Sequence, residues 1–442
     1  MKAASYFSVY PTDASSAKDL TETQQEHGRA KGGFSTSGAT TLAPHFPKVG
    51  VLALVPDAWG GPWQSRQYIL TRLARYFNVV WCDPPIWWRR WWRESLAGNG
   101  KYQEPLPSES NLMIYRPGKR YPEMGRPRFL ARWTERERLR RASQMLLEKG
   151  CQTVILYLWR PQYAPALDLV AHDLTCYHID DEYSFLETDQ PIAAQERRLI
   201  QRADLVFIHS PALLEKKGHL NPKTIFVPNG VDYNAYATPK PEPEDLARIP
   251  RPRIGYVGRI KEQLDFSLLF TLARRHCQWS FVMVGPRKQF HRQASLIRKL
   301  AQLPNVYFLG RKSLAALPSY SYHLDVCVLC YRLNQYTKLI YPLKLHEYLA
   351  TGRPVVGTPI RSLQDFAHVV TLARTPDEWS KAIHDALSPA GTSVAQIEAR
   401  RRIARQHDWD RVVARITHSL CHELGDDYLA NFEKLRPIST TY

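Results

Sequence analysis

Lys344 and Glu347 stand one helical turn apart within Tyr341 to Thr358, Tyr-Pro-Leu-Lys-Leu-His-Glu-Tyr-Leu-Ala-Thr-Gly-Arg-Pro-Val-Val-Gly-Thr. An ammonium can neutralise an anionic ligand, and a carboxylate beside it can accept hydrogen bonds from sugar hydroxyls. The same spacing also fits an ordinary i,i+3 surface ion pair, so both readings stand on this stretch alone. The local pattern predicts a short helix running into a strand. Pro342 can open the helix, where its missing N–H costs nothing. Gly352 ends it and Pro354 prevents its resumption. Val355 and Val356 then begin an apolar, β-branched strand. A helix entry of this kind adds free N–H groups and the positive end of a dipole to the attraction for an anion.

Other residues with chemistry to offer follow directly after apolar runs. Gly60 and Gly61 follow Val49–Val55, where backbone can approach a phosphate or a sugar closely; a plain turn is the other reading. Gly258 and Arg259 follow Arg253–Val257, with Lys261 next, and a fixed cation at a helix entry suits a diphosphate. Gly285-Pro286-Arg287-Lys288 follows Trp279–Val284 and can wall a base or its phosphates. Asp180 and Asp181 follow Thr175–Ile179 and offer acceptor ligands or a base; an Asx turn or a helix cap is equally open. His209, at the end of Asp204–Ile208, reads as a structural residue.

These loops need a scaffold that gathers them, and the order of elements predicts one. In the first half, strands are expected at Val49–Val55, Val79–Cys82, Leu112–Tyr115, Thr153–Leu158, Thr175–Ile179, Asp204–Ile208 and Thr224–Val227, with helices at Thr134–Lys149 and Ala194–Arg202. In the second, strands at Arg253–Val257, Trp279–Val284, Val306–Leu309, Leu324–Leu329 and Val355–Gly357 alternate with helices at Leu264–His276, His291–Leu303 and Leu345–Ala350. A last helix is expected near Trp409–Leu424. Such alternation gives an α/β fold with two Rossmann-like, doubly wound parallel sheets. Ligands of such sheets sit beyond the carboxyl ends of the strands, so the two domains face a cleft. The domain reading is a disordered tail over 1–46, a first domain over 47–238, a Pro/Glu-rich linker over 239–252, a second domain over 253–390 and C-terminal helices over 391–442 that pack back toward the first domain.

Composition narrows the classes. The chain has 442 residues, 44% of them hydrophobic, enough for two cores. It has no run of about eighteen apolar residues to span a membrane and no basic-then-apolar leader pattern. Seven scattered cysteines form no disulfide framework and fit a reducing cytoplasm. Cys327 and Cys330, the one close pair, point to opposite faces of a strand, so no zinc site is expected, and no further ligand cluster is evident for another metal.

The net charge of +18 fits a polyanionic partner, and it is unevenly placed. From Ile86 to Arg141 there are fourteen Lys/Arg against six Asp/Glu. Within it, Trp87, Trp88, Trp91 and Trp92 share one helical face beside Arg89, Arg90 and Arg93. Tryptophan with arginine at this spacing suits the headgroup layer of an anionic membrane; a tryptophan face packed under the domain is the other reading. No recognised nucleic-acid motif accompanies the charge, so no specific nucleic acid is expected.

Taken in order, Gly255-Tyr-Val-Gly-Arg259, Val282-Met-Val-Gly-Pro286, Asn305-Val-Tyr-Phe-Leu-Gly310 and Pro342-Leu-Lys-Leu-His-Glu-Tyr-Leu-Ala-Thr-Gly-Arg-Pro-Val-Val356 resemble the nucleotide-sugar half of GT-B-fold glycosyltransferases, especially the retaining, family-four-like enzymes of bacterial glycan assembly. Ala203-Asp-Leu-Val-Phe-Ile-His-Ser210 with Val227-Pro-Asn-Gly-Val-Asp232 resembles the segment such enzymes carry before their linker. The likeness covers most of residues 49–430 and implies roles. Glu347 would bond the ribose hydroxyls of the donor, and Arg259 and Lys344 would neutralise its departing diphosphate. Gly258, Gly285, Pro286 and Leu343 would line the donor site, while Gly60, Gly61, Asp180 and the candidate base Asp181 would face the acceptor. Many retaining members carry a second glutamate eight positions before the one matched by Glu347. Here that position is Leu339, which breaks the Glu-x7-Glu pattern at the donor sugar, where Lys338 or backbone groups are the available substitutes.

The resemblance implies a cytoplasmic glycosyltransferase, peripheral on the inner face of the plasma membrane, that uses a nucleotide diphosphate sugar as substrate, needs no cofactor, and acts on a glycan or lipid-linked acceptor in cell-surface polysaccharide assembly. A sugar-nucleotide epimerase of the same architecture and a non-catalytic nucleotide-sugar or polyanion-binding protein are the alternatives.

Overall fold

The computed structural model describes residues 43–88, 111–117, 121–183, 186, 188–287 and 293–435. Lys288, Arg89, Arg90, Arg93, Trp91, Trp92 and the expected tail up to residue 42 lie outside the described residues. The last residues assigned to that tail are built into the fold. Phe46 is buried and stacks on Phe77 at 5.6 Å, and its N–H donates to the Tyr76 carbonyl at 2.8 Å.

Seven strands make the first sheet: β1 (Val49–Leu54), β2 (Asn78–Cys82), β3 (Leu112–Tyr115), β4 (Thr153–Leu158), β5 (Leu174–Ile179), β6 (Leu205–Ile208) and β7 (Thr224–Phe226). Their order is β3-β2-β1-β4-β5-β6-β7, every pairing parallel. Six make the second: β8 (Arg253–Val257), β9 (Ser280–Val284), β10 (Val306–Gly310), β11 (Val326–Leu329), β12 (Val355–Gly357) and β13 (Thr371–Leu372). Their order is β10-β9-β8-β11-β12-β13, again parallel. The central strands of both sheets are buried on two faces, which is why they read as unbroken apolar runs such as Val49–Leu54. Strand order reverses between β1 and β4 and between β8 and β11, the places where open α/β sheets leave a crevice.

Alternate residues of the first sheet feed two cores. Val51, Ala53, Tyr157 and Phe207 join one, while Leu52, Leu54, Leu156 and Ile208 join the other. The helix Trp409–Leu424 closes the first of these: Trp409, Val412, Ile416 and Leu420 are buried in it, and Trp409 stacks on Tyr68 at 5.3 Å. The helix Asp426–Leu435, which the sequence pattern does not announce, adds Phe432 to the same core.

One helix differs instructively from expectation. Arg128–Glu148 begins six residues before the predicted Thr134. Its first turn and a half exposes Phe129 and Trp133, so the apolar periodicity that marks a core-facing helix is absent there.

Candidate active site

At the ends of β8 and β9, two glycines interlock. Gly258 has φ +142° and Gly285 φ +140°, values that side-chain-bearing residues rarely adopt. A Cβ on Gly285 would lie 2.0 Å from the Gly258 carbonyl oxygen, and one on Gly258 would lie 1.9 Å from Lys344 Cε. The Gly258 N–H donates to Val284 at 2.7 Å, and the Gly285 N–H to Gly310 at 2.8 Å. The Pro286 carbonyl accepts the Ile260 N–H at 3.0 Å, which draws the two loops together. The stem of Lys344 thus lies on bare backbone, with its ammonium 5.3 Å from the Tyr256 ring.

The electrostatics of this corner are unbalanced. Burial lowers the Lys344 pKa first of all, Glu347 pulls it back up, and Arg259 pushes it down. Lys344 and Arg259 therefore sense each other as like charges, and among the described residues neither forms a contact ion pair. Glu347 is raised by burial and held down by Lys344 and by a hydrogen bond from the Tyr236 hydroxyl. The plain i,i+3 ion pair does not form. The helix itself runs Lys344–Thr351, with Leu343 at its N-cap and Gly352 in the left-handed conformation at φ 78° beyond its end. Pro342 stands just outside, and its carbonyl accepts the Leu345 N–H at 3.2 Å, which spends one N–H group of the helix entry.

Leu339 and Leu343 do something no spacing announced. Leu339 is buried in the first-domain core that holds Ile179, Ile208, Ala212 and Leu213, and Leu343 packs against the opposite core of the same sheet. The turn between them straddles the first sheet's carboxyl edge. Its Tyr341 carbonyl accepts the Asn229 side-chain amide at 2.7 Å, and its ring meets His209 edge-on at 6.2 Å. The Tyr341 hydroxyl pairs with His346 Nε2 at 2.8 Å. The position that carries a glutamate in many retaining enzymes is here an interdomain apolar plug.

On the first-domain side the charges cancel. Asp180 accepts from Arg66 and, at 2.5 Å, from Arg160, and Arg66 also binds Asp57. Arg66 and Asp180 are nearly buried, whereas the Asp57 side chain keeps 40% of its surface. Arg160 lies 4.7 Å over the Tyr183 ring. A carboxylate gripped by two guanidiniums has its oxygens occupied and is a poor free acceptor. Asp181 accepts the Tyr336 hydroxyl of the second domain at 3.2 Å, so it reaches across the cleft. Gly60 and Gly61 belong to a tight turn closed by the Gly61 N–H on the Ala58 carbonyl at 2.9 Å, with Trp59 N–H fixed by Asp83 at 2.7 Å. His209 donates Nδ1–H to the Ile179 carbonyl at 3.0 Å, and burial pushes its pKa down to about 4.

Arg66, Arg160 and Tyr336 were not singled out in the sequence. Asp180 and Arg66 are 114 residues apart, so only the fold joins them; Arg160 alone carried a hint, as a cation two residues past a strand end. Trp87 and Trp88 are partly buried, and Trp88 N–H donates to the Glu123 carbonyl at 3.1 Å. Among the described residues no three His, Cys, Asp or Glu side chains are grouped to hold a metal, and no helix is long and apolar enough to cross a membrane.

Residues 251–388 match the family model described as Glycosyl transferases group 1. The Bacillus subtilis protein TuaH, assigned to teichuronic acid biosynthesis as a glycosyltransferase, is 31% identical over 229 residues, which is 50% of this chain and 57% of that protein. The chain therefore spans little more than half the length of that curated relative. Among solved structures, sucrose-phosphate synthase from Thermosynechococcus elongatus superposes with a TM-score of 0.62 at 16% identity, covering 85% of this chain and 99% of that one. The E. coli trehalose-6-phosphate structure bound with UDP-2-fluoro glucose gives 0.58 at 12% identity, over 83% and 98%. The fold is the two-domain GT-B fold.

Proposed function

We propose that this chain transfers a glycosyl group from a nucleotide diphosphate sugar to a glycan or lipid-linked acceptor in cell-surface polysaccharide assembly, working at the surface of an anionic membrane. The observation that carries the reading is the pair of cations, Lys344 and Arg259, set together without a contact counter-ion on a glycine platform at the strand ends of the second domain. Two like charges held close in a half-buried cleft favour an anion between them, and a diphosphate leaving group meets that demand. Glu347, one turn on and still an acceptor, supports a grip on the ribose. The assignment of TuaH supports the polysaccharide context.

The rate enhancement would come from positioning and from stabilising charge on the departing diphosphate. Lys344 and Arg259 supply the positive charge, Gly258 and Gly285 let the phosphates approach the backbone, and Asp181 with Tyr336 orders the acceptor side. Leu339 favours a second reading, a protein that binds nucleotide sugars without turning them over, because the donor-sugar carboxylate is missing.

Incubation with UDP- and GDP-sugars, with and without a membrane glycolipid fraction, separates the readings. Acceptor-dependent release of nucleoside diphosphate is expected. Epimer formation without acceptor, or binding with no release under any donor, would sink the transferase reading.

A further inference from the structure

The outer face of the Arg128–Glu148 helix is built unlike an ordinary solvated surface. Phe129 is 75% exposed and Trp133 53%, one turn apart, and Leu147 at the far end of the same stripe is 57% exposed. Arg136 and Arg140 complete that stripe, being 7 and 11 positions after Phe129 in the sequence. The opposite face buries Thr134, Leu139, Ala142 and Leu146. The helix is therefore anchored on one side and presents aromatic and cationic groups on the other.

Of the acids near this face, one is held by two arginines, and Glu123 and Glu135 sense Arg138 without a contact ion pair among the described residues. Glu137 binds Arg140 at 2.8 Å and Arg141 at 3.0 Å, and half-buried Glu135 senses Arg138 and Arg132. Arg138 turns inward to the carbonyls of Tyr121 and Pro122 at 3.1 and 3.0 Å. Arg126, Arg128, Arg132 and Arg136 are exposed and make no ion pair among the described residues. Trp133 is set against Tyr121 at 5.6 Å, and the Arg141 guanidinium lies over that tyrosine ring at 4.6 Å. The 121–123 segment also pairs with 86–88: Glu123 N–H donates to the Ile86 carbonyl at 2.9 Å, and Ile86 is 38% exposed.

We propose that this face, centred on Phe129 and Trp133 with Arg128, Arg132 and Arg136 around them, docks the protein onto an anionic lipid bilayer. The rings would enter the boundary between headgroups and acyl chains, while the guanidiniums reach lipid phosphates. Exposed aliphatic side chains at Leu147 and Ile86 fit a lipid surface better than a nucleic acid, which offers them nothing to stack on. The proposal rests on the membrane clause of the functional reading and is independent of the transfer chemistry. It places the docking surface on this helix instead of the tryptophan run alone.

Flotation with vesicles containing phosphatidylglycerol tests it, with pure phosphatidylcholine vesicles and a single-stranded RNA as the other probes. Wild type is expected to float with the anionic vesicles only. Phe129→Ser/Trp133→Ser should weaken that binding at least tenfold, and Arg128→Ser/Arg132→Ser/Arg136→Ser should weaken it and flatten its salt dependence. A nucleotide-induced thermal shift equal to wild type shows that each variant is folded and its donor site intact. Equal flotation by the aromatic variant, equal binding to neutral vesicles, or binding to RNA without binding to vesicles would each overturn the proposal.

Discussion

The two walls of the cleft carry similar residue types and use them in opposite ways. On the second-domain wall, Lys344 and Arg259 repel each other across a backbone stripped of side chains, and Glu347 answers them only at a distance. On the first-domain wall, Arg66 and Arg160 also push against each other, yet both make contact ion pairs, with Asp57 and Asp180. One wall therefore stores an unmet demand for an anion, and the other has satisfied its own. The lesson is that a charged side chain in a cleft says little until its counter-charges are known: an unmet cation is poised for a ligand, while a met one holds the scaffold in shape.

The sharpest way to break that contrast is to remove Asp180. Its loss leaves Arg66 nearly buried with only the half-exposed Asp57 as partner, and breaking a buried pair in this way typically costs about 3–5 kcal/mol. Asp180→Ala should lose stability on that scale in guanidinium denaturation, while the folded fraction keeps its nucleotide-induced thermal shift. A loss under about 1 kcal/mol would mean that the network is not what holds the strand ends.

Lys344→Met makes the opposite case on the facing wall. Removing a half-buried cation that lacks a contact partner should leave stability within about 1 kcal/mol of wild type, since no ion pair is broken. Turnover should fall about 100- to 1,000-fold, the scale of losing one electrostatic donor at a developing charge. Steady-state release of nucleoside diphosphate measures it. A variant that loses several kcal/mol of stability while its folded fraction keeps its turnover would reverse the assignment of the two walls.

Gly285→Ala tests the platform under the cations. The added Cβ meets the Gly258 carbonyl oxygen in a conformation unsuited to alanine, so strain and overpacking should cost about 1–3 kcal/mol. The displaced Gly258 loop should also weaken nucleotide affinity, which titration calorimetry would read. Gly61→Ala, in the first-domain turn, is the control: its Cβ comes no nearer than 3.0 Å to Ala58 oxygen, and a smaller cost is expected.

How much of this was open to reading follows from the range of the physics involved. Strands such as Thr153–Leu158 and Arg253–Val257 fall where they were expected, because burial on both faces writes a local signal into consecutive residues. Gly258 and Gly285 were legible for the same reason, as glycines just past strand ends. The partner of Asp180 was not, because Arg66 lies on a helix 114 residues earlier and only sheet order brings them together. Leu339 could be seen as a missing glutamate, yet nothing local says that its side chain leaves the donor site for the core of the other domain. Phe129 and Trp133 misled in the opposite sense. Their exposure breaks the helical period that burial would have written, so the helix looked shorter than it is.

His209 sits where the two walls meet, and it offers the smallest test. With Nδ1–H spent on the Ile179 carbonyl and its ring against Tyr341, it looks like part of the scaffold. Its folded pKa, about 4, lies below the ordinary 6.5. On acidification the unfolded chain takes the proton first, so His209 costs stability as the pH falls from 6.5 toward 4 and no more below that. His178 and His346, also held well below 6.5 by burial, add slopes of the same sign. His209→Asn keeps a donor for Ile179 and removes the titration. Comparing the stability lost between pH 7.5 and 5.5 cancels the packing defect, and the variant should lose about 1 kcal/mol less than wild type. Turnover at pH 7.5 decides the role: if it stays within about threefold, His209 belongs to the scaffold, and a loss of a hundredfold would move it into the chemistry and give the first-domain wall an unmet group of its own.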